Sequence, residues 1–307
     1  MRIVATAAVP PVGREAFAAL GKIEVNGTCD PGGAEILIVR GTPLGAESIA
    51  SAPELRVIAR TGAGYDNVDV AAATRAGIPI VYAPSVGTGP VAEGTIALML
   101  AAAKRLGELG AIVATDWDAR YSVMGLDLEG ACAGVVGLGA IGRRVATMCQ
   151  ALGMTVIAHD PAASASPFEL VGLHELFARA DVVTLHCALT DETRGLIDRE
   201  LLSHAKAGAV FVNAARGPVV ESEDVLAEAL ASGRLSAVAL DVHPSEPPRA
   251  SHRLYRDPRV ICTPHSVGLT RRWNEEVFTA LAAGVTAVLA GDRPPNLLNP
   301  EALQAAR

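Results

Sequence analysis

Short apolar runs rich in β-branched residues alternate along this chain with alanine-rich runs of helical period. Up to Pro84 the pattern predicts strands at Arg2–Ala5, Lys22–Val25, Ile36–Val39, Leu55–Ala59 and Pro79–Val81. Helices are predicted between them at Arg14–Leu20, Ala46–Ala52 and Val70–Ala76. Strands that alternate with helices in this way pair in parallel and are covered on both faces, so this segment reads as a small α/β domain. Thr88–Pro90 reads as a linker to a long helix at Val91–Arg105. There, Ile96, Ala97, Leu98, Met99 and Leu100 run almost all the way round, so the helix must be buried on several sides, one of which a subunit interface could supply. Gly107–Glu129 has no clear period and carries Trp117, Arg120 and Tyr121.

The alternation then resumes. Val135 and Val136 lead into Gly137-x-Gly139-x-x-Gly142, helix-compatible residues run from Arg143 to Leu152, and a second β-branched run ends Val156-Ile157-Ala158-His159-Asp160. Further strands are predicted at Val182–His186, Ala209–Asn213, Ala237–Asp241 and Val260–Thr263, with helices at Leu173–Ala178, Arg199–Ala205 and Glu223–Ser232. A long helix from about Thr270 to Ala290 is expected to return to the first domain, and a Pro-rich tail follows. The expected fold is therefore two doubly wound parallel-sheet α/β domains, 1–89 with 270–307, and 90–269.

Strand, glycine turn, helix, strand and acid, in that order, form the layout of a dinucleotide site. Gly137 makes the tight turn, Gly139 lets the backbone approach a pyrophosphate, and Gly142 lets the helix pack close to the strand. The pyrophosphate would sit on the free N–H groups of the helix start, at Ala140, Ile141 and Gly142. Asp160 stands where a carboxylate accepts the ribose hydroxyls and repels a 2′-phosphate, which points to NAD rather than NADP.

Composition narrows the class. The chain has 307 residues, 50% hydrophobic, enough for two domains with proper cores. A net charge of −7 argues against a general nucleic-acid or anionic-membrane binder. The five cysteines are scattered without C-x-x-C spacing, so they read as reduced thiols of a cytoplasmic protein rather than as a disulfide framework or a zinc cluster. The apolar start ends at Pro10-Pro11 and reads as a first strand, and the most apolar helix is too short for a membrane span.

Candidate chemistry lies at the carboxyl ends of predicted strands, where open α/β sheets bind ligands. In the first domain these are Arg40, at the end of one strand, and Arg60-Thr61-Gly62-Ala63-Gly64-Tyr65, whose glycines would let successive N–H groups face an anion. In the second, Arg216, Glu246 and His265 suit oxidation of a hydroxy acid. An arginine grips a carboxylate through a forked pair of hydrogen bonds. A histidine takes the hydroxyl proton as hydride leaves, and a carboxylate orients the imidazole. His159, His174, His186, His204, His243 and His252 lack metal-ligand spacing and read as structural or surface residues, with His186 nearest the expected cofactor.

The segments Arg60–Asp69, Gly137–Gly142, Asn213–Gly217, Asp241–Pro247 and Pro264–His265 occur in the order seen in the D-isomer-specific 2-hydroxyacid dehydrogenases. The chain resembles that family along essentially its whole length. Within it the sequence is most similar to short 3-phosphoglycerate dehydrogenases without an added regulatory domain. The resemblance implies a flavodoxin-like substrate domain and a Rossmann NAD-binding domain. It implies that Arg216 binds substrate, Glu246 pairs with the base, His265 is the general acid/base, and the Gly62–Gly64 backbone holds the substrate carboxylate. It adds cofactor contacts from His186, Cys187, Thr193, Ala214, Asp241 and His265, and a homodimer through the Val91 helix region, across which Arg120 could reach.

Three positions depart from the family pattern: Ala188 replaces a proline in the His-Cys-Pro-Leu-Thr turn, Gly94 a histidine, and Pro90 a small polar residue. If Arg40, Arg60 and Arg120 converge, they suit a dianion such as 3-phospho-D-glycerate. If they form surface ion pairs instead, a glyoxylate or hydroxypyruvate reductase is the alternative. A relative acting as an NAD-sensing corepressor is the alternative from another class.

Overall fold

Five short parallel strands build the N-terminal sheet: β1 (Ile3–Ala5), β2 (Ile23–Val25), β3 (Ile36–Val39), β4 (Val57–Arg60) and β5 (Ile80–Tyr82). The computed structural model describes residues 1–305. The chain divides into two units, one of Met1–Gly87 and the segment from Leu269 onward, the other of Thr88–Gly268.

In the first unit the strand order is β2-β1-β3-β4-β5, the flavodoxin-like order. Helices α1 (Pro11–Ala16), α2 (Ala46–Ala50) and α3 (Val70–Arg75) connect the strands. Side chains alternate across the sheet: Ile36 and Ile38 enter one core with Val277, Phe278 and Leu281, while Leu37 and Val39 enter the other with Ile49 and Ala73. Helix α1 begins three residues earlier than the periodicity suggests, because Pro11 fits the first helical position, where no N–H is needed.

The second unit opens with α4 (Thr88–Ala103), α5 (Leu106–Ile112) and a 3₁₀ turn at Trp117–Ser122. There follow β6 (Cys132–Val136), α6 (Ala140–Ala151), β7 (Thr155–His159), β8 (Glu169–Leu170), α7 (Leu173–Arg179) and β9 (Val182–Leu185). Then come α8 (Arg199–Ser203), β10 (Ala209–Asn213), α9 (Glu223–Ala231), β11 (Leu235–Leu240) and β12 (Val260–Cys262). The seven-stranded parallel sheet runs β12-β11-β10-β9-β6-β7-β8. Counted within this unit the order is the Rossmann one with an extra strand, and the crossovers reverse between β6 and β9. Phe211 enters the core beneath α7 and α9, and its neighbours Val210 and Val212 enter the core beneath α4 and α6.

Thr88–Pro90 is not a linker but the first turn of α4. Proline is tolerated there because the first-turn N–H groups have no intrahelical partner. Helix α4 packs on α6, β10, β11 and β12, which accounts for its all-round apolar surface. Gly94 has no room for a histidine: a Cβ there would stand 2.4 Å from Val267 Cβ. Neither α5 nor the 3₁₀ turn buries a residue, so this stretch has no core face to impose a period on its sequence. The chain after β12 returns to the first unit as α10 (Arg271–Leu289), packed on α1, β4 and β5, and ends in α11 (Ala302–Ala305). Among the described residues no helix is long and apolar enough to cross a membrane.

Candidate active site

The glycine turn joins β6 to α6 at the point where the crossovers reverse. Gly137 has φ +94°, a conformation that side chains with a Cβ disfavour. A Cβ on Gly142 would lie 2.0 Å from the Gly137 carbonyl oxygen and 3.2 Å from His186 Cβ, so only glycine lets α6 approach the strand ends. Around Gly139, by contrast, a Cβ would meet nothing within 4 Å, which leaves an open cradle at the helix start. Helices α3, α8 and α10 close their first turn with a side chain: Asp69 accepts from Ala72 N–H at 2.8 Å, Asp198 from Leu201 N–H at 2.8 Å, and Thr270 from Trp273 N–H at 3.1 Å. Helices α1, α2, α5, α7 and α9 do not. Helix α6 has no side-chain cap, so the N–H groups at Ala140, Ile141 and Gly142 remain for an anionic ligand.

Asp160 follows β7. Its Oδ2 accepts the Leu138 N–H at 2.7 Å and its Oδ1 the Ala162 N–H at 2.9 Å, so the carboxylate is ordered beside the turn. Pro161, Ala162 and Ala163 follow, offering no cation for a 2′-phosphate. His186, just past β9, has Nε2 2.9 Å from Thr184 Oγ1, while its buried Nδ1 has no partner among the described residues. Burial pushes its pKa down to about 3, so the ring is neutral. Cys187 backs the turn: a Cβ on Gly137 would sit 2.6 Å from its backbone nitrogen. Burial pushes its thiol up to about 11. Thr193 Oγ1 donates to the Ala188 carbonyl at 2.6 Å and accepts from Thr190 N–H at 2.8 Å, which closes the loop where Ala188 stands for proline.

Three further strand ends carry the sequence-predicted residues Arg216, Glu246 and His265. After β10, Asn213 folds the turn holding Ala214 and Arg216: its Oδ1 accepts from Ala215 N–H and its Nδ2 donates to the Arg216 carbonyl, each at 3.0 Å. The Arg216 guanidinium donates to the Ala215 carbonyl at 2.7 Å. After β12, His265 Nδ1 lies 2.9 Å from Glu246 Oε2. Burial pushes the Glu246 carboxyl up, but the hydrogen bond and charge of His265 and the His243 N–H and charge outweigh it and leave the group below its ordinary value. Glu246 is therefore a carboxylate at neutral and mildly acidic pH.

The His265 backbone is left-handed, φ +52°, an uncommon conformation for a residue other than glycine. Asp241, 3% exposed, holds it there. Its Oδ1 accepts from Thr263 Oγ1–H at 2.7 Å, Ser266 N–H at 2.7 Å and Val267 N–H at 3.2 Å, and its carbonyl accepts the His265 N–H at 2.7 Å. Asn213 and Thr263 have no chemistry of their own, and sequence reasoning passed over them. Their position inside the Asn213–Gly217 and Pro264–His265 motif surroundings was the available signal.

In the first unit, Asn67 ties two strand-end turns together by donating to the carbonyls of Arg40 and Thr42 at 2.8 and 2.9 Å. Arg60 braces the glycine turn through Asn67 Oδ1 at 3.0 Å and the Thr61 carbonyl, with Gly62 at φ +102°. Arg40 donates to the Ala8 carbonyl at 2.7 Å. In the second unit Arg120 is engaged by its own 3₁₀ turn, bonding Asp118 and Tyr121 and lying over the Trp117 and Tyr121 rings.

A family model for the D-isomer specific 2-hydroxyacid dehydrogenase, NAD binding domain, matches residues 96–267. The chain is 36% identical over 269 residues to a glyoxylate reductase of Aeropyrum pernix, covering 83% of this chain and 80% of that protein. The chain belongs to the D-isomer-specific 2-hydroxyacid dehydrogenase family. Its second unit is the NAD-binding domain of that family, and the glycine turn and Asp160 are the structural elements that suit the cofactor. A D-3-phosphoglycerate dehydrogenase of Mycobacterium leprae is 41% identical over 272 residues, 87% of this chain. The chain spans about half the length of that relative, 51%. Among solved structures, a D-lactate dehydrogenase from Aquifex aeolicus, complexed with NAD and lactic acid, superposes with a TM-score of 0.85 at 26% identity, covering 97% of this chain and 99% of that one.

The tight glycine packing yields a test. Gly142→Ala places a methyl group 2.0 Å from the Gly137 carbonyl, so the turn must open. NADH affinity measured by fluorescence titration should fall at least about tenfold, while circular dichroism stays close to that of the wild-type chain.

Proposed function

We propose that the chain is an NAD-dependent D-2-hydroxyacid dehydrogenase that interconverts a 2-hydroxy acid and its 2-keto acid. The observation that carries this reading is the 2.9 Å pair of His265 Nδ1 and Glu246 Oε2 at the sheet edge that also holds the glycine turn. When bound, the cofactor supplies or accepts the hydride at C2 of the substrate. With Nδ1 held by Glu246, His265 has Nε2 for the substrate oxygen. In reduction it gives a proton to the carbonyl oxygen, and in oxidation it takes the hydroxyl proton. The Glu246 carboxylate stabilises the imidazolium and keeps the ring oriented, and Arg216 grips the substrate carboxylate.

The substrate proposed is 3-phospho-D-glycerate with its 2-keto partner, a reading supported by the name of the Mycobacterium leprae relative. The Gly62-Ala63-Gly64 turn offers N–H groups to the substrate carboxylate, with Arg40 and Arg60 as cations at neighbouring strand ends. The Aeropyrum pernix relative, of which the chain covers 80%, favours a second reading as a reductase of glyoxylate or hydroxypyruvate. We further assign the protein to the cytoplasm as a homodimer. Support for the dimer comes from exposed Leu106, Val113, Trp117, Tyr121 and Met124, apolar side chains that no core among the described residues covers.

Three tests follow from these assignments. His265→Ala should lower kcat by about 10²–10⁴-fold with NADH binding retained, and Glu246→Gln should move the kcat/KM–pH profile to lower pH, since the protonated pair loses its counter-ion. An unchanged profile removes Glu246 from the mechanism. On substrate choice, Arg60→Ala should cost roughly tenfold to a hundredfold in kcat/KM for the phosphorylated acid and far less for glyoxylate. Equal losses on both, or no wild-type turnover of the phosphorylated acid, select the small-acid reductase. For the dimer, sedimentation of Trp117→Glu should give a monomer where the wild-type chain gives twice that mass.

A further inference from the structure

Strand β11 leaves the sheet through Asp241-Val242-His243-Pro244-Ser245-Glu246. His243 is 4% exposed, and sequence alone gave no reason to single it out. Its Nε2 lies 3.0 Å from the Thr263 carbonyl oxygen. A carbonyl only accepts, so Nε2 carries a proton. Nδ1 faces the Tyr255 hydroxyl at 3.3 Å, and that hydroxyl is also 3.3 Å from Glu223 Oε1. Burial and the Glu223 carboxylate push the Tyr255 hydroxyl up, so it keeps its proton, which it donates to Glu223 Oε1.

The same residue reaches the catalytic groups through its backbone. The His243 N–H donates to Glu246 Oε1 at 3.2 Å, which leaves Oε2 for His265. The Thr263 carbonyl that receives the ring proton is also 3.1 Å from the His265 N–H. On the remaining side, a Cβ on Gly217 would stand 1.8 Å from the His243 carbonyl oxygen, so the turn that carries Arg216 packs directly on this residue.

We propose that His243 is a positioning residue for hydride transfer, whose ring strap to Thr263 and backbone bond to Glu246 together set the separation and angle of the Glu246–His265 pair. The proposal rests on the reading of that pair as the acid/base group. Asp241 ties the start of the segment that leads to Glu246 to the His265 loop. His243 adds a second tie two residues nearer Glu246, and Tyr255 with Glu223 fixes the far side of its ring. Residues that act at this remove change rates because displacement of a catalytic atom by about 1 Å is enough to matter.

The test uses His243→Phe, which keeps ring volume and loses the donor, and His243→Gln, whose side-chain amide can donate to the same carbonyl. In the full chain with NADH and the 2-keto acid turned over best, His243→Phe should lose about tenfold to a hundredfold in kcat. KM and NADH affinity should change little, and the pH profile should shift. His243→Gln should recover most of the loss. In parallel, ¹⁵N NMR of labelled histidines reads the wild-type chain directly: His243 Nε2 should carry a proton, which excludes the Nδ1–H tautomer. The His265 titration should move in His243→Phe and return in His243→Gln. The proposal is overturned by the opposite tautomer, by a Phe variant with wild-type kcat and His265 titration, or by a Gln variant no better than Phe. If the wild-type chain turns over no 2-keto acid, the functional reading fails on that result, and the tautomer and titration still decide the role of His243.

Discussion

Every strand pairing in both sheets is parallel, and parallel strands require each chain segment to return to the starting edge before it can pair again. That requirement buries both faces of each sheet beneath crossover segments, and it gathers the carboxyl ends of the strands along one edge. In the second unit the residues that follow β6, β7, β9, β10, β11 and β12 are Gly137, Asp160, His186, Arg216, Glu246 and His265. Groups far apart in the chain thus share an edge because of strand direction, before any side-chain contact is considered.

The edge has two electrostatic characters. Around Gly139 an uncapped helix start offers N–H groups, and the nearby acid is already held by backbone N–H groups, so a nucleotide with a free 2′-hydroxyl finds both ends of its site ordered. Around His265 the chain does the reverse and supplies negative charge. Asp241 takes three donors from the Thr263–Val267 segment, and Glu246 remains ionised because its hydrogen bonds and the charges of His265 and His243 outweigh its burial. A buried carboxylate satisfied by two main-chain N–H groups and a hydroxyl gives a rigid mounting, and it stabilises the left-handed turn that presents His265.

Relatives of similar sequence act on acids of different size, and the architecture is consistent with that breadth. The Glu246–His265 pair, the Asp241 bonds beneath it and the glycine turn all lie within the second unit. The first unit presents Arg40, Arg60 and the Gly62–Gly64 turn at the strand ends of its own sheet.

Much of this was legible in the sequence, since periodicity and glycine spacing are local properties. The βα alternation determined two parallel-sheet domains, the Gly137–Gly142 spacing with Asp160 determined the dinucleotide turn, and motif order brought Arg216, Glu246 and His265 forward. Wherever the determining contact was non-local, the sequence was silent or misleading. Thr88–Pro90 is helical because a first turn tolerates proline, and α5 escaped detection because it buries no face. Gly94 is small because Val267 abuts it, which no spacing rule reveals. Asp241 and His243 bond to Thr263, Ser266 and Val267, about twenty residues further along the chain. Only the tertiary structure could decide those roles, because a hydrogen bond across two loops depends on where the strands beneath them end.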